Sequence, residues 1–176
     1  EYYNLINSDL LLSNIPLQRT TSRAEKTYTG TKLQKLEKLK KDIQLIRDCE
    51  LKKNATNLVF GDGNPGSKLM IIGEGPGANE DAQGKPFVGR AGKLLDKMLA
   101  AIQLDRTKVY ISNVVNYRPP SNRKPTDDEI KRYLPFLINH IEIINPKIIL
   151  LLGSTALNAL IGNEVVISKA RGNWMQ

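Results

Sequence analysis

The residues best suited to chemistry come directly after a short apolar run at positions 69–72, which is typical of a buried strand. They form a loop at positions 73–77 that reads GEGPG and so combines three glycines, a proline and one carboxylate. A helix is predicted to begin near Gly92. The loop would therefore lie at the carboxyl end of a strand, where open α/β sheets bind ligands. Glycines have no Cβ atom and allow close approach to backbone amides, although a tight structural turn would explain them equally well.

Four motifs follow one another along the chain. They are GEGPGANEDAQGKPFVGRAG at 73–92, VYISNVVNYRPPSNR at 109–123, PKIILLLG at 146–153 and ISKARG at 167–172. Together they resemble the motifs of the uracil-DNA glycosylase superfamily, most closely those of its family 4 branch, and in the same order. The resemblance extends from about Cys49 to Trp174.

This resemblance implies an enzyme and a substrate. It implies a uracil-DNA glycosylase, a hydrolase that removes flipped-out uracil from DNA by breaking the N-glycosidic bond and so starts base excision repair. The alternative is a non-catalytic module that binds uracil-containing DNA or another nucleic acid and retains the pocket. A dinucleotide-binding domain is a weaker third interpretation, because the glycine loop lacks the GxGxxG spacing.

Predicted strands alternate with predicted helices along the chain. The strands are expected at 69–72, 108–114, 147–152 and 164–168, and the helices are expected to begin near Thr31, Gly92, Thr126 and Ser154. This alternation predicts a parallel sheet with helices on both faces. The resemblance implies the same α/β fold class, a three-layer αβα sandwich with a four-stranded parallel central sheet. A turn is predicted at 62–66.

Composition indicates an N-terminal segment, and the resemblance implies the domain that follows it. Residues 1–31 are predicted to be an N-terminal extension, with a short docked helix in 1–16 and a polar, partly flexible linker at 17–31. Residues 32–176 are predicted to form the glycosylase-like domain.

The resemblance also implies roles for individual side chains. Phe87 would stack on uracil, Asn113 would recognise the base edge, and Glu74 would position the attacking water. The residues that would line the pocket are Gly73, Gly75, Pro76 and Gly77. Glu80 and Asp81 are alternative carboxylates, although acidic residues are also common in the first turn of a helix.

The charge of the chain fits a polyanionic partner such as nucleic acid, although simple solubility would explain it equally well. The 176 residues carry a net charge of +8, with 26 basic and 18 acidic side chains. The polar and basic residues expected to contact DNA phosphates are Arg118, Asn122, Arg123, Lys124, Ser168, Lys169 and Arg171. The lysines of the helix predicted after Thr31 are a further candidate surface, but such a run is more often only the solvated side of a helix.

The chain departs from family 4 at the positions that hold a [4Fe–4S] cluster in that branch. Such clusters need cysteine thiolates as ligands. The matching positions here are Ile46, Cys49, Tyr117 and Tyr133. Since one thiolate cannot hold a cluster, we expect no cofactor, and we expect packing to replace the cluster.

A second departure concerns the family's final histidine motif, which does not occur in the 176 residues. The one histidine, His140, lies in a predicted helix in a different context, so the role is not transferred to it. Either the natural protein continues past Gln176 with this motif, which we expect, or the site is incomplete. In both cases we expect residues 1–176 alone to be weak or inactive.

Composition limits the remaining classes. The hydrophobic content of 40% and charged content of 25% are ordinary for a soluble globular protein. No apolar run approaches the roughly 20 residues of a membrane span. A single cysteine fits a reducing, cytoplasmic setting. The resemblance implies a monomer.

Overall fold

The computed structural model describes residues 28–175, in which helices surround a small sheet. The helices are α1 (Lys32–Gln44), α2 (Glu50–Asn54), α3 (Ala78–Gln83), α4 (Arg90–Ala101), α5 (Asp127–Ile144), α6 (Ser154–Leu160) and α7 (Ile167–Ala170). The strands are β1 (Asp62–Gly63), β2 (Leu69–Gly73), β3 (Tyr110–Asn113) and β4 (Ile148–Leu151), and a 3₁₀ turn spans Pro120–Asn122. The predicted helix in 1–16 and most of the predicted linker lie outside the described residues.

The sheet has four strands in the order β1-β3-β2-β4. Strands β3, β2 and β4 are parallel, whereas β1 pairs with β3 in antiparallel orientation. The α/β class and the four-stranded sheet are therefore confirmed, with one antiparallel pair where a fully parallel sheet was predicted. The fourth strand comes from Asp62 and Gly63, at the start of the segment predicted as a turn.

The prediction of a strand at 164–168 is wrong. Part of this segment forms the short helix α7, and Ala170 and Arg171 donate backbone hydrogen bonds to Val166 and Ile167 in helical fashion. Two adjacent valines and an isoleucine have high strand propensity. They do not form a strand here because no neighbouring strand pairs with them among the described residues.

One face of the sheet is covered by α1 and α5. Thr31 caps α1 through a reciprocal capping box with Gln34, which fixes the start of this helix. Its apolar stripe, Leu36, Leu39 and Ile43, is buried. This face holds the larger core, to which the buried residues of α5 also belong.

The other face is covered by α4. Leu95 and Leu99 point to the sheet and pack in a small core with Ile71 and Ile111. The other large apolar residues, Leu94 and Met98 in the helix and Ile102 directly after it, are exposed. On the outermost strand β4, Ile148 and Leu150 are also partly exposed. The helix therefore covers β2 and β3 and leaves part of β4 open.

Helices on both faces of one sheet give the three layers that the sequence predicts. Among residues 28–175, no helix has both the length and the apolar character needed to cross a bilayer.

Candidate functional site

The site begins where β2 and β3 end side by side. Gly73 and Asn113 are register partners, and each is the last residue of its strand. The pairing continues beyond the strands, since Val114 and Val115 donate backbone hydrogen bonds to Gly73 and Glu74. The glycine loop and the segment after β3 therefore leave the sheet together, as expected for a binding site at the carboxyl ends of parallel strands.

Phe87 and Asn113 converge above Gly73. A Cβ atom built on Gly73 would lie 2.5 Å from Cζ of Phe87 and 2.7 Å from Oδ1 of Asn113. The tip of the aromatic ring and the amide oxygen thus approach the same point from two different elements. Gly73 is required here because any side chain would occupy that point.

The Asn113 side chain is almost fully buried, with 3% of its surface exposed. No hydrogen bond joins its amide to another residue of the described chain. Every fully buried side-chain nitrogen or oxygen of the described residues has a partner. The amide atoms of Asn113 therefore keep some contact with solvent, and they are available to a ligand that presents a donor and an acceptor.

The loop that carries Phe87 is held by Arg106, which lies between α4 and β3. The guanidinium donates to the carbonyl oxygen of Pro86 at 3.0 Å and also to the carbonyl oxygen of Phe87. It is oriented by Asp62 at 3.0 Å and Asp96 at 2.9 Å. The planar fork of arginine suits this arrangement of several fixed acceptors.

Glu80 holds the same loop from the opposite side. Its carboxylate accepts hydrogen bonds from the backbone amides of Val88 at 2.9 Å, Gly89 at 2.7 Å and Gly77 at 3.1 Å. The amide of Gly77 is therefore taken by a side chain and is not offered to a ligand. Glu80 positions both loops of the site, which removes it as an alternative catalytic carboxylate.

Gly92 allows the Phe87 loop to lie directly on α4. A Cβ atom at this position would be 1.7 Å from the carbonyl oxygen of Phe87. Phe87 itself has a φ of +55°, in the left-handed region that costs energy for an aromatic residue. Strained backbone of this kind persists only where its surroundings hold it, and here Arg106, Glu80 and α4 do so.

Glu74 is half-buried in the glycine loop and accepts a hydrogen bond from the hydroxyl of Thr155. Thr155 lies in the first turn of α6 and is buried. This contact ties the carboxylate to the end of β4 and restricts its orientation. Asp81 does not face the site, because it accepts hydrogen bonds from the backbone amides of Thr56 and Asn57 at 2.9 Å.

His140 lies in the core and not in the site. Its Nε2 is 2.9 Å from the hydroxyl of Tyr110, and its ring stacks on Phe60 with centroids 4.4 Å apart. Burial lowers the pKa of His140 to about 3. The imidazole is therefore neutral at ordinary pH and serves packing.

The basic loop after β3 lies beside the glycine loop, since a Cβ atom on Gly75 would be 2.8 Å from Cγ2 of Val115. Within this loop Arg118 donates to Oδ1 of Asn122 at 2.7 Å, and Lys124 is exposed. Arg123 instead forms a two-fold ion pair with Glu129, with both distances 2.7 Å.

The Arg123–Glu129 pair limits what Arg123 can do. The hydrogen bond from Arg123 makes the largest of several contributions that hold the pKa of Glu129 below its usual range. A guanidinium bound on two of its nitrogens is less available to a phosphate than a free one.

Ser168, Lys169 and Arg171 are exposed in and just after α7. Within the described chain, no hydrogen bond joins them to the glycine loop or to Asn113. The structure thus brings together Gly73, Phe87, Asn113 and Glu74, with the Arg118 loop alongside, and does not connect the α7 residues to them.

Comparison with known proteins assigns the family. The family model described as the Uracil DNA glycosylase superfamily matches residues 60–175. A Type-4 uracil-DNA glycosylase of Thermotoga maritima is 46% identical over 147 residues, which are 83% of this chain and 76% of that protein. The chain belongs to the uracil-DNA glycosylase superfamily.

Two further relatives of the same superfamily also carry the name Type-4 uracil-DNA glycosylase. The protein of Sulfurisphaera tokodaii is 45% identical over 142 residues, and that of Archaeoglobus fulgidus is 44% identical over 124 residues. The matched segments cover 78% and 70% of this chain, but only 64% and 62% of the two relatives.

The positions that correspond to the cluster ligands of family 4 do not fit an iron–sulfur cluster. Cys49 is the one cysteine of the chain, and its Sγ lies 3.3 Å from the hydroxyl of the buried Tyr133. Tyr117 is buried beside them, and Ile46 packs on the same core. Burial raises the pKa of the Tyr117 hydroxyl, and the nearby Cys49 raises it further by a smaller amount. Among residues 28–175, no group of three or more His, Cys, Asp or Glu side chains could hold a metal ion.

Two residues of this superfamily site were not predicted from the sequence. Arg106 lies in no motif, and only its position between two predicted elements could have drawn attention to it. Thr155 lies at the start of the helix predicted near Ser154, but nothing in the sequence indicates that its hydroxyl donates to Glu74. Contacts that join loops more than 15 residues apart leave no local pattern in the sequence.

Proposed function

We propose that this protein is a uracil-DNA glycosylase of the type-4 kind that removes uracil from DNA by hydrolysis. The observation that carries the proposal is the convergence of Phe87 and Asn113 above Gly73, within the motifs of the superfamily. In the reaction the bond between C1′ of the sugar and N1 of the base breaks, and uracil leaves with the electron pair. Water supplies the oxygen that bonds to C1′, and the proton that this water loses balances the charge of the departing uracil anion.

Asn113 is proposed to recognise the base. Its amide oxygen would accept from N3–H of uracil and its amide nitrogen would donate to O4. Cytosine presents the opposite donor and acceptor at these positions, so a fixed amide distinguishes the two bases. The burial of Asn113 supports this role, because a buried amide cannot easily reorient.

Phe87 is proposed to stack on the flipped-out uracil, and Glu74 is proposed to orient the water. A carboxylate beside the sugar would also offset the positive charge that develops there as the bond opens. The contact from Thr155 supports this assignment, since it restrains the carboxylate at the edge of the pocket. Gly73, Gly75, Pro76 and Gly77 form the adjoining wall.

We further propose that no iron–sulfur cluster is needed. The buried contact between Cys49 and Tyr133 supports a packed core in place of the cluster. A cytoplasmic location and a monomeric state, with residues 32–176 as the glycosylase domain, complete the proposal. The single cysteine is consistent with a reducing compartment.

A module that binds uracil-containing DNA without excising the base is the second candidate. One observation favours it: the single histidine of the 176 residues is 2% exposed and bonded to Tyr110. It is therefore unable to assist a leaving group in the pocket.

The experiment that tests the proposal is alkaline strand cleavage of a labelled oligonucleotide that contains one uracil. We expect cleavage by the full-length gene product, whether or not residues 1–176 suffice by themselves. Asn113→Ala in the full-length product should lose about 100- to 1,000-fold of that activity, as for other lost transition-state hydrogen bonds. Asn116→Ala is the matched control, because Asn116 is also buried but donates to the carbonyl oxygen of Val59 at 3.1 Å. Selective binding of uracil-containing DNA without cleavage would replace the enzyme by the binding module.

A further inference from the structure

A groove of about 610 Å³ lies on the outer side of the Phe87 loop, between α3 and α4. Val88 and Gly89, which directly follow Phe87, form part of its wall. The groove is therefore continuous with the loop that borders the candidate pocket. The groove is also lined by three cationic residues of α4 and by Asn79 and Gln83, which have amide side chains.

The three cations are Arg90, Lys93 and Lys97. Their spacing of three and four residues places them along one side of the helix. All three are exposed, and within the described chain none forms a hydrogen bond or an ion pair through its side chain. They differ in this respect from Arg123, whose guanidinium is bound to Glu129.

No acidic side chain of the described residues lines the groove. Glu80 is adjacent to Gly89, but its carboxylate accepts three backbone hydrogen bonds. Asp96 lies on the same helix and is paired with Arg106. The cations therefore face solvent without local neutralisation, which makes the groove attractive to an anion.

The dimensions of the groove suit a nucleic-acid strand. Seven residues of α-helix span about 10.5 Å, which is the axial distance from Arg90 to Lys97. One strand of DNA carries a phosphate about every 3.4 Å along the axis, so this distance corresponds to roughly three phosphates. The exposed side chain of Leu94 lies in the same groove and could contact the sugars.

We propose that the groove formed by Arg90, Lys93 and Lys97 binds the phosphodiester backbone of the DNA strand next to the nucleotide in the pocket. This inference rests on the proposed function, and it adds a phosphate-binding surface separate from the Arg118 loop. The groove holds the strand on the side of Phe87, whereas the Arg118 loop borders the other side of the glycine loop.

The test is the salt dependence of binding to single-stranded oligonucleotides with and without uracil, measured by fluorescence anisotropy. The groove variant is Arg90→Gln/Lys93→Gln/Lys97→Gln. The control variant, Lys68→Gln/Lys131→Gln/Lys147→Gln, removes the same charge from three exposed lysines outside every candidate DNA surface. Lys68 and Lys147 precede β2 and β4, at the ends of the strands away from the pocket, and Lys131 lies on α5. Thermal unfolding of both variants verifies that they are folded.

The groove variant is expected to lower the slope of log K against log salt by about 2, since each single-strand phosphate contact contributes roughly 0.7. At low salt its affinity for the uracil-free strand should fall about 10- to 100-fold. The control variant should retain the slope of the unchanged protein. Equal losses in both variants, an unchanged slope in the groove variant, or no binding of uracil-free DNA by the unchanged protein would each overturn the proposal.

The two oligonucleotides separate this inference from the proposed function. The groove acts on backbone phosphates and should weaken both strands by the same factor when it is altered. The ratio of the two affinities depends on the pocket and should change only in Asn113→Ala. A groove effect in a protein that does not cleave the uracil-containing strand after alkali treatment would retain the surface and refute the glycosylase proposal.

Discussion

The guanidinium of Arg106 donates a hydrogen bond to the backbone carbonyl of Phe87, although the two residues belong to different loops. Phe87 precedes α4 and Arg106 follows it, so this contact joins the loop before the helix to the loop after it. Asp62 and Asp96 fix the guanidinium in turn. The orientation of the aromatic ring thus depends on a residue that does not itself face the pocket.

Replacing Arg106 should impair excision more than folding. Arg106→Leu releases the carbonyl groups of Pro86 and Phe87, and displacement of a binding group by about 1 Å can cost roughly 100-fold in rate. We expect kcat/KM on a uracil oligonucleotide to fall about 10- to 100-fold, with partial recovery in Arg106→Lys. Arg132→Leu is the control, since Arg132 also donates to backbone carbonyls, those of Asp48 and Arg47. Equal effects of both leucine variants would assign Arg106 a purely structural role.

Gly73→Ala should fill the pocket without straining the backbone. The new methyl group would lie 2.5 Å from Cζ of Phe87 and 2.7 Å from Oδ1 of Asn113, so one of them must move. We expect at least a roughly 100-fold loss of kcat/KM and a decrease of about 1–3 kcal/mol in the free energy of unfolding. In the control Gly66→Ala, the nearest atom is Oδ1 of Asn64 at 3.3 Å, on a turn. Full activity in Gly73→Ala would contradict the proposed pocket.

His140 should make the protein less stable in mild acid. Its pKa in the folded state is about 3, against a usual value of 6.5. Between these two values the unfolded chain binds a proton that the folded chain does not, so stability is lost as the pH falls through this window. The expected contribution is about 1.4 kcal/mol per pH unit.

Urea unfolding at pH 7.5, 6 and 5 would measure the effect of His140. Because carboxylates add their own pH dependence, the comparison is with His140→Gln, which keeps an acceptor for Tyr110. Identical pH profiles for the two proteins would show that His140 is not buried as a neutral imidazole.

Cys49 should behave as a core residue and not as a metal ligand. Cys49→Ala is expected to lower the free energy of unfolding by about 1–2 kcal/mol, through lost packing and the lost contact with Tyr133. Iron content and visible absorbance should be the same in the unchanged and mutant proteins. Iron that co-purifies with the unchanged protein and disappears in Cys49→Ala would contradict the proposal.

The parts of the fold that were predictable from sequence are those set by local pattern. The helix predicted from Thr31, the apolar run at 69–72 and the strand that ends at Asn113 are found as expected. The segment 164–168 does not, because strand propensity requires a partner strand, and pairing is a property of the whole sheet.

In the candidate site, too, local sequence patterns reveal some residues, whereas contacts between distant parts of the chain are not visible in the sequence. The motifs identify Phe87 and Asn113 as candidate site residues. They do not show that Glu80 holds two loops together, or that Arg106, after α4, bonds the loop before α4. Glu80 has a local pattern, an acidic residue in the first turn of a helix, that reveals only one of its three hydrogen bonds. The other two form because the chain returns to it eight and nine residues later.

The two faces of the sheet carry apolar clusters of unequal size, and this difference affects hydrogen exchange. Among residues 28–175, the cluster beneath α4 contains 5 buried residues, whereas the cluster beneath α1 and α5 contains 17. Segments with few buried apolar contacts open at a lower free energy than the whole domain. Amides of α4 should therefore exchange with solvent before those of α5, as one cooperative unit. Since Phe87 rests on α4, the ring can leave the pocket edge in such an opening while Asn113 remains fixed in the sheet.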